Sequence, residues 1–242
     1  MLGQYFFIEL GKARANRLFV IALLGAVVVS VLSTYSLWQS SDVGANGFGS
    51  VLVSEAFFSA IIWPIIASGL ASRQAEIEYQ HRGWILNAMS GLKISDVLHI
   101  KAAIGSMLIL LAVVVQAGLI TVISKVNGIH GNQDGWFVYH LLLWFVLTVF
   151  YAFFLLVACA LEKQIFALVS GVVSAFIAVF CFLVDITLKH ILPWAYFAMI
   201  LPFKQEGRSV VPVSIEYLPV CGFIFVGIAI WLLLVQRVRI WR

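Results

Sequence analysis

Two acidic side chains lie within or at the edge of long apolar stretches, where a charge is costly to place. Glu55 follows the apolar residues 51–53, and Ser59 comes one helical turn after it. Ionisable residues at membrane depth usually face a cavity or a partner. We therefore keep two interpretations of Glu55: part of a substrate-facing surface with Ser59, or a carboxylate hydrated at the headgroup level. For Asp185, which lies close to Lys189, we expect the hydrated state.

A second polar group lies between the second and third apolar stretches. It begins with two acidic residues and continues with basic, small, aromatic and aliphatic residues. Its members are Glu76, Glu78, His81, Arg82, Gly83, Trp84 and Leu86. Glu78 and Arg82 have the i, i+4 order that favours an ion pair. A short amphipathic helix is expected after Gly83, either an ordinary interfacial helix or a docking element for a cytoplasmic partner. Ser95 is expected to cap the next helix, with Asp96 in its first turn.

Most catalytic motifs are absent from the sequence. There is no glycine-rich loop ending in Gly-Lys-Ser/Thr, no His-Glu-x-x-His and no Gly-x-Ser-x-Gly. The five histidines have no metal-ligand spacing, and catalytic zinc normally needs about three protein ligands. Gln116, Thr148 and Ser174 look isolated, whereas an intramembrane enzyme needs paired polar groups at one depth. We therefore expect no metal site, no bound cofactor and no enzymatic activity of this chain's own.

Six long apolar stretches carry these residues. The chain has 242 residues, of which 63% are hydrophobic and 11% charged, whereas soluble domains carry about 25% charge. A bilayer core needs roughly 20 apolar residues per helix. The expected spans are residues 18–38, 51–70, 102–124, 136–161, 165–188 and 218–235. The gaps between them are too short for a core of their own, so residues 1–242 are expected to form one all-α polytopic membrane domain.

The distribution of basic residues predicts the orientation. With the N-terminus in the cytoplasm, only Lys125, Lys189, Lys204 and Arg208 of the 15 lysines and arginines are external. This is the positive-inside bias, and an even number of spans then places both termini in the cytoplasm. The net charge of +4 therefore reflects topology. Nucleic-acid binding is excluded as a class because the sequence has no basic stripe with interleaved aromatics.

Two segments outside the spans carry further expectations, one before the first span and one before the last. Residues 2–14 predict a helix lying in the cytoplasmic interface. Its apolar face consists of Leu2, Tyr5, Phe6, Leu10 and Ala13. The proline-rich residues 189–217 predict short external helices or a re-entrant hairpin before the last span.

Span five carries two overlapping small-xxx-small pairs, Ser170 with Ser174 and Gly171 with Ala175. Small residues at this spacing let helix backbones approach closely. The pattern predicts tight packing of this span against another helix, either within the chain or across a dimer.

The chain resembles the six-span permeases of ABC exporters, including the bacterial lantibiotic-immunity branch. The resemblance covers the whole chain in length and hydropathy. It is carried by a proline in span two, the acidic pair, the run after it, a lysine opening span three, and an N-terminal acid and lysine: Pro64, Glu76, Glu78, Arg82, Gly83, Trp84, Lys101, Glu9 and Lys12. A distinctive substrate-binding signature is lacking.

The resemblance implies a transport subunit without its own ATP site. Such a permease pairs with a second permease, identical or homologous, above two cytoplasmic ATP-binding subunits that hold the ATP and Mg. Residues 73–92 would form the coupling helix region, and closure of the ATP-binding subunits would shift spans one, two and five to open a cavity outward. In the lantibiotic branch the substrate is an amphipathic antimicrobial peptide, expelled from the plasma membrane of the bacterium that produces it.

Two other functions stay open from the sequence. One is an ABC permease that exports drugs or ions, which the neighbouring genes would distinguish. The other is a membrane protein outside transport, such as an assembly factor or an intramembrane enzyme, which would lack an ATPase partner.

Overall fold

The structure is a computed structural model that describes residues 2–39, 47–80, 83–129, 135–161, 163–184, 189–206 and 209–237. Helices make up most of it. They are α1 (Leu2–Ala15), α2 (Leu18–Gln39), α3 (Gly47–Gln80), α4 (Gly83–Met89), α5 (Ile94–Val126), α6 (Trp136–Ala160), α7 (Gln164–Leu183), α8 (Tyr196–Met199) and α9 (Tyr217–Val235). Six of these helices, α2, α3, α5, α6, α7 and α9, are long and apolar enough to cross a membrane. The protein is therefore an all-α polytopic membrane protein, as the sequence predicts.

Two of the spans are much longer than the bilayer requires. Helix α3 has 34 residues and α5 has 33, or about 50 Å each at 1.5 Å per residue. The hydrocarbon core is about 30 Å thick, so the ends of both helices extend beyond it. The sequence-based spans 51–70 and 102–124 are correct in place but too short, because polar residues continue both helices outside the apolar stretch.

Helix α3 lies at the centre of the bundle and packs against α2, α6 and α7, while α5 packs against α2 and α6. Helix α9 lies at the edge, with its main contact to α6. Only 17% of the residues in its apolar stretch are buried within the chain. Its outward face is therefore an apolar surface, as expected where a helix meets lipid.

The close approach of α7 to α3 depends on a glycine. A Cβ at Gly171 would lie 2.5 Å from the Cβ of Ser68 and 2.8 Å from the backbone oxygen of Pro64. Both distances are shorter than van der Waals contact, so the Cβ would clash. The small residues of span five therefore pack against another helix of the same chain, which confirms that prediction. Pro64 lies inside α3, where it removes one helical hydrogen bond.

The segments before the first and the last span form mostly as predicted. Helix α1 buries Tyr5, Glu9 and Ala13 on one face, so a carboxylate joins the apolar face that the sequence suggested. Residues Pro193–Ala195 form a 3-10 turn that leads into α8, which confirms the short helices before the last span.

One part of the last connection is not helical. Strand β1 (Phe203–Glu206) pairs antiparallel with strand β2 (Ser209–Pro212), and β-strands were not predicted in this segment. It packs against the start of α3, where a Cβ at Gly49 would lie 3.1 Å from side-chain atoms of Phe203 and Val210.

The connection between α3 and α5 contains the expected short helix, α4. The predicted cap of α5 is wrong, however. Helix α5 begins at Ile94 after an extended Lys93 that makes no side-chain capping bond, so the helix starts two residues before the position that a Ser95 cap would require. Asp96 does lie in the first turn of α5.

Candidate functional site

Four charged side chains form a closed ring where α3 ends and α5 begins, which we call the Glu78 end of the bundle. The Lys12 ammonium donates to Glu9 Oε1 at 2.5 Å and to Glu78 Oε1 at 2.8 Å. The Lys101 ammonium donates to Glu9 Oε2 at 2.6 Å and lies 3.1 Å from Glu78 Oε1. Two acids and two bases thus alternate around the ring, which we call the charge quartet, and their formal charges cancel.

The charge quartet joins three helices, and a hydrogen bond ties a fourth, α4, to it. Glu9 and Lys12 belong to α1, Glu78 to α3 and Lys101 to α5, while Asn87 of α4 donates to Glu78 Oε2 at 3.0 Å. Gly83 at the start of α4 leaves room for this contact, because a Cβ there would lie 2.0 Å from Glu78 Oε2. Helix α4 is therefore hydrogen-bonded directly to α3, and through Glu78 it is linked to the ammonium groups of α1 and α5.

Burial makes the charge quartet sensitive to the loss of any member. Glu9, Glu78 and Lys101 are buried, and Lys12 is half-buried. Burial alone would raise the pKa of the Glu9 carboxyl, but the ammonium groups of Lys101 and Lys12 outweigh it and hold that pKa below its usual value. Burial likewise opposes the charge on Lys12, but Glu78 and Glu9 raise the pKa of its ammonium above the usual value.

These two directions predict how the stabilisation depends on pH. A carboxyl whose pKa is lowered in the folded protein stabilises the fold above its unfolded pKa of about 4.3, and this stabilisation is lost on acidification. An ammonium whose pKa is raised stabilises the fold below its unfolded pKa of about 10.4, and this stabilisation is lost as the pH rises further. We expect the contribution of Glu9 and Lys12 to be constant from about pH 5 to pH 10. In Glu9→Gln the charge quartet keeps one unbalanced positive charge, so its loss of stability relative to wild type should be steady from about pH 5 to pH 7 and shrink towards pH 10, where a lysine can release its proton. Thermal unfolding of both proteins in detergent measures this loss, and a loss that grows between pH 7 and pH 10 would contradict the prediction.

Helix α4 turns its apolar side chains in two directions. Trp84 is buried and packs edge-on against Tyr79, with ring centroids 6.0 Å apart. Leu86 and Met89 point away from the bundle and are 59% and 80% exposed. Asn87 fixes the rotation of the helix through Glu78 and through the Tyr5 hydroxyl, which lies 3.0 Å from its Nδ2. The helix therefore presents a small apolar surface on a rigid base.

The residues expected to couple to a partner fall into three groups. Gly83 and Trp84, on the inner side of α4, come together with Glu78 of α3, while Leu86 lies on the exposed side of α4. Glu76 is half-buried and pairs with Arg73 at 3.0 Å. His81, Arg82 and their expected ion pair lie outside the described residues.

A second polar cluster lies where α3 begins, α5 ends and α6 begins, which we call the Glu55 end. Gln116 Nε2 donates to Glu55 Oε1 at 2.7 Å and lies 3.3 Å from Ser59 Oγ. Trp63 Nε1 donates to Gln116 Oε1 at 2.9 Å. His140 Nε2 lies 2.8 Å from the same Glu55 oxygen. We call these five side chains, from three helices, the Glu55 cluster.

The second ring nitrogen of His140 determines how many protons the cluster holds. His140 Nδ1 lies 2.9 Å from the backbone oxygen of Trp136, which can only accept, so Nδ1 carries a hydrogen. The contact between Nε2 and Glu55 then needs one more proton, on either the ring or the carboxyl. Both arrangements leave the pair with no net charge.

The surroundings of Glu55 rule out one of its two interpretations. Glu55 and Ser59 are 0% exposed, so a hydrated carboxylate at the headgroup level is wrong for Glu55. Among the described residues, Glu55 Oε2 and the Tyr139 hydroxyl find no hydrogen-bond partner. The substrate-facing role of Glu55 and Ser59 stays a prediction. Asp185 lies outside the described residues.

Gln116 is not isolated, as the sequence suggested, because it bonds to three residues on α3. Thr148 is not isolated either, since its hydroxyl lies 3.0 Å from that of Ser106 on α5. The sequence reasoning missed this pairing because it depends on which helices face one another. His140 and Asn87 carried no signal of their own in the sequence.

An apolar cavity of about 560 Å³ lies between α6 and α9. Aromatic and aliphatic side chains such as Phe150, Phe153, Phe223 and Trp231 line it. The two polar clusters lie away from this cavity.

In the part of the chain that the structure describes, these observations define the class of protein: a helical membrane protein with six spanning helices and a buried polar cluster near each end of its central helix. No family model matches the chain, and no curated protein matches its sequence. No group of three or more metal-ligating side chains occurs within the described residues.

Proposed function

We propose that this chain is the membrane-spanning permease subunit of an ATP-driven ABC exporter in the bacterial plasma membrane. The observation that carries the proposal is α4, a short helix with exposed Leu86 and Met89 that is fixed from beneath by the charge quartet. A protein that docks on α4 could move α1, α3 and α5 together. This is the mechanical input that a permease without an ATP site requires.

The remaining features of the proposal follow from the resemblance to six-span exporter permeases. The ATP and Mg would be bound by the cytoplasmic partner, and a second permease, identical or homologous, would complete the transporter. The substrate would be an amphipathic antimicrobial peptide taken from the membrane. The apolar cavity between α6 and α9 suits the apolar face of such a peptide, and equally a drug or lipid-like molecule.

The alternative of an intramembrane enzyme gains one supporting observation. Such an enzyme needs paired polar residues at one depth on facing spans, and Glu55, Gln116 and His140 meet that requirement. A hydrolytic reaction also needs water and substrate at the pair, however, and all three side chains are buried. We therefore prefer transport.

The first experiment is purification of the chain from its native membrane in mild detergent, followed by identification of co-purifying proteins and an ATPase assay. Export would be supported by a stoichiometric ATP-binding protein with vanadate-sensitive turnover. Isolation of the chain alone, without ATPase activity, would contradict the proposal and favour a protein outside transport.

The docking surface can be tested separately from the fold. In the variant Leu86→Ser/Met89→Ser we expect at least about a tenfold loss of partner binding, or about 1.4 kcal/mol, because two apolar contacts disappear from the interface. Both side chains are exposed, so the melting temperature of the isolated chain should change little. The measurement is affinity for the purified ATP-binding subunit.

A matched control replaces two equally exposed apolar residues elsewhere. Val126 and Leu218 are 81% and 87% exposed, and Val126→Ser/Leu218→Ser should leave partner binding unchanged. Equal affinity of all three proteins would refute α4 as the docking element. The buried Glu78 and Trp84 are less suitable for this test, because their replacement disturbs the fold as well.

A further inference from the structure

We propose that Glu55 and His140 form a binding site for a single proton, which is held while the Glu55 end is closed and exchanged with water when that end opens. Nothing in this inference depends on the proposed export function. It follows from the contacts of the two side chains and from the cost of burying a net charge.

The closed bundle fixes the number of protons on the pair at one. With one proton, the pair is either a carboxylate beside an imidazolium or a carboxylic acid beside a neutral ring, and both are neutral overall. Removal of that proton would leave a net negative charge, and a second proton would leave a net positive charge. An uncompensated charge in a buried site costs several kcal/mol, so the closed state strongly disfavours both.

The groups around the pair do not supply a compensating charge. Helix α5 contributes the amide of Gln116, α3 contributes Ser59 and Trp63, and α2 contributes the Ser30 hydroxyl, 3.4 Å from the Gln116 backbone oxygen. Tyr139 of α6 is the other titratable group facing Glu55 among the described residues. An ordinary phenol ionises only near pH 10, so it stays neutral in the physiological range.

An open Glu55 end behaves differently because water solvates each group separately. In water a glutamate titrates near pH 4.3 and a histidine near pH 6.5. Above about pH 6.5 the hydrated pair therefore holds no proton, and opening releases one to the solvent. Opening also gives hydrogen-bond partners to Glu55 Oε2 and the Tyr139 hydroxyl. The ratio of closed to open molecules should then fall by up to about tenfold for each pH unit above 6.5.

Substitution of the acid reverses the sign of this dependence. In Glu55→Gln the closed state holds a neutral His140, and opening below about pH 6.5 lets the ring take up a proton. The variant should therefore gain stability, or stay level, as the pH rises from 5.5 to 8, whereas wild type loses it. The double variant Glu55→Gln/His140→Gln should show neither dependence.

The test is thermal unfolding of wild type and both variants in detergent between pH 5.5 and 8.5. Glu216→Gln is the matched control, because Glu216 Oε2 lies 3.7 Å from His190 Nδ1 in a pair that is about half exposed. It should keep the wild-type pH dependence. The same pH dependence in wild type and in Glu55→Gln would overturn the proposal.

A second measurement on wild type decides the matter if the variants do not fold. We expect the hydrogen-exchange protection factors, corrected for intrinsic exchange, to fall at residues 48–60 and 136–146 between pH 6.5 and 8.5. The fall is measured relative to residues 94–105 at the other end. A ratio of protection factors between the two ends that does not change across this range would refute the single-proton site.

Discussion

Replacing Lys101 with Met should destabilise the protein by about 3–4 kcal/mol at pH 7, because removing one partner from a buried ion pair leaves an uncompensated charge. Lys101 is buried and serves both Glu9 and Glu78, so its loss leaves the charge quartet with a net charge of −1. Protonation of one carboxyl limits the penalty at pH 7 to about 4 kcal/mol, at 1.36 kcal/mol for each pH unit above 4.3. The loss should therefore shrink as the pH falls from 7 to 5. The measurement is equilibrium or thermal unfolding in detergent.

Two further variants separate charge balance from simple loss of packing. Lys101→Met/Glu9→Gln restores neutrality with Lys12 and Glu78, so we expect it to be more stable than Lys101→Met alone. Lys93→Met removes an exposed lysine at the same end and should change stability by less than about 0.5 kcal/mol. If the double variant were the less stable of the two, the ring would not behave as one charge-balanced unit.

Replacing Gly171 with Ala should destabilise the protein by about 1–3 kcal/mol, and Gly171→Val by more, because α7 must move away from α3. The added Cβ would lie 1.9 Å from Ser68 Oγ and 2.8 Å from the Pro64 backbone oxygen. The hydroxyl could rotate away, but the backbone oxygen belongs to α3 itself. Unfolding in detergent again gives the measurement, with the yield of folded protein as a second indicator.

Gly118→Ala is the matched control for this substitution. Gly118 also lies within a spanning helix, yet a Cβ there meets nothing within 4 Å. Alanine is the better helix former by up to about 1 kcal/mol, so this variant should be neutral or slightly more stable. An equal loss of stability in Gly118→Ala and Gly171→Ala would mean that the approach of α7 to α3 is not what makes Gly171 necessary.

The location of the six spans followed from the sequence because hydropathy is a local property. Each span needs about 20 apolar residues whatever its neighbours are, so α6 and α9 appear within a residue or two of their expected bounds. The short helices before the last span were also anticipated from its prolines. The cap of α5 and the β1–β2 hairpin were not, since both depend on a path of the chain that short-range signals leave open.

The polar clusters show where sequence reasoning stops. Glu55 was noticed because a carboxylate in an apolar stretch is costly, but nothing near it in the sequence indicates a partner. His140 is 85 residues away and Gln116 is 61. Likewise Glu9 and Lys101 are 92 residues apart, and the resemblance that singled them out did not show that they touch.

The sequence by itself therefore determined that the protein crosses a membrane, how many times, and which polar residues are expensive to bury. The tertiary structure decided which groups compensate the buried charges, because side chains on different helices face each other only once the helices have packed. A buried charge requires an opposite charge or a proton within hydrogen-bond distance. At the Glu78 end the opposite charges come from three helices, and at the Glu55 end a proton shared by α3 and α6 does the same.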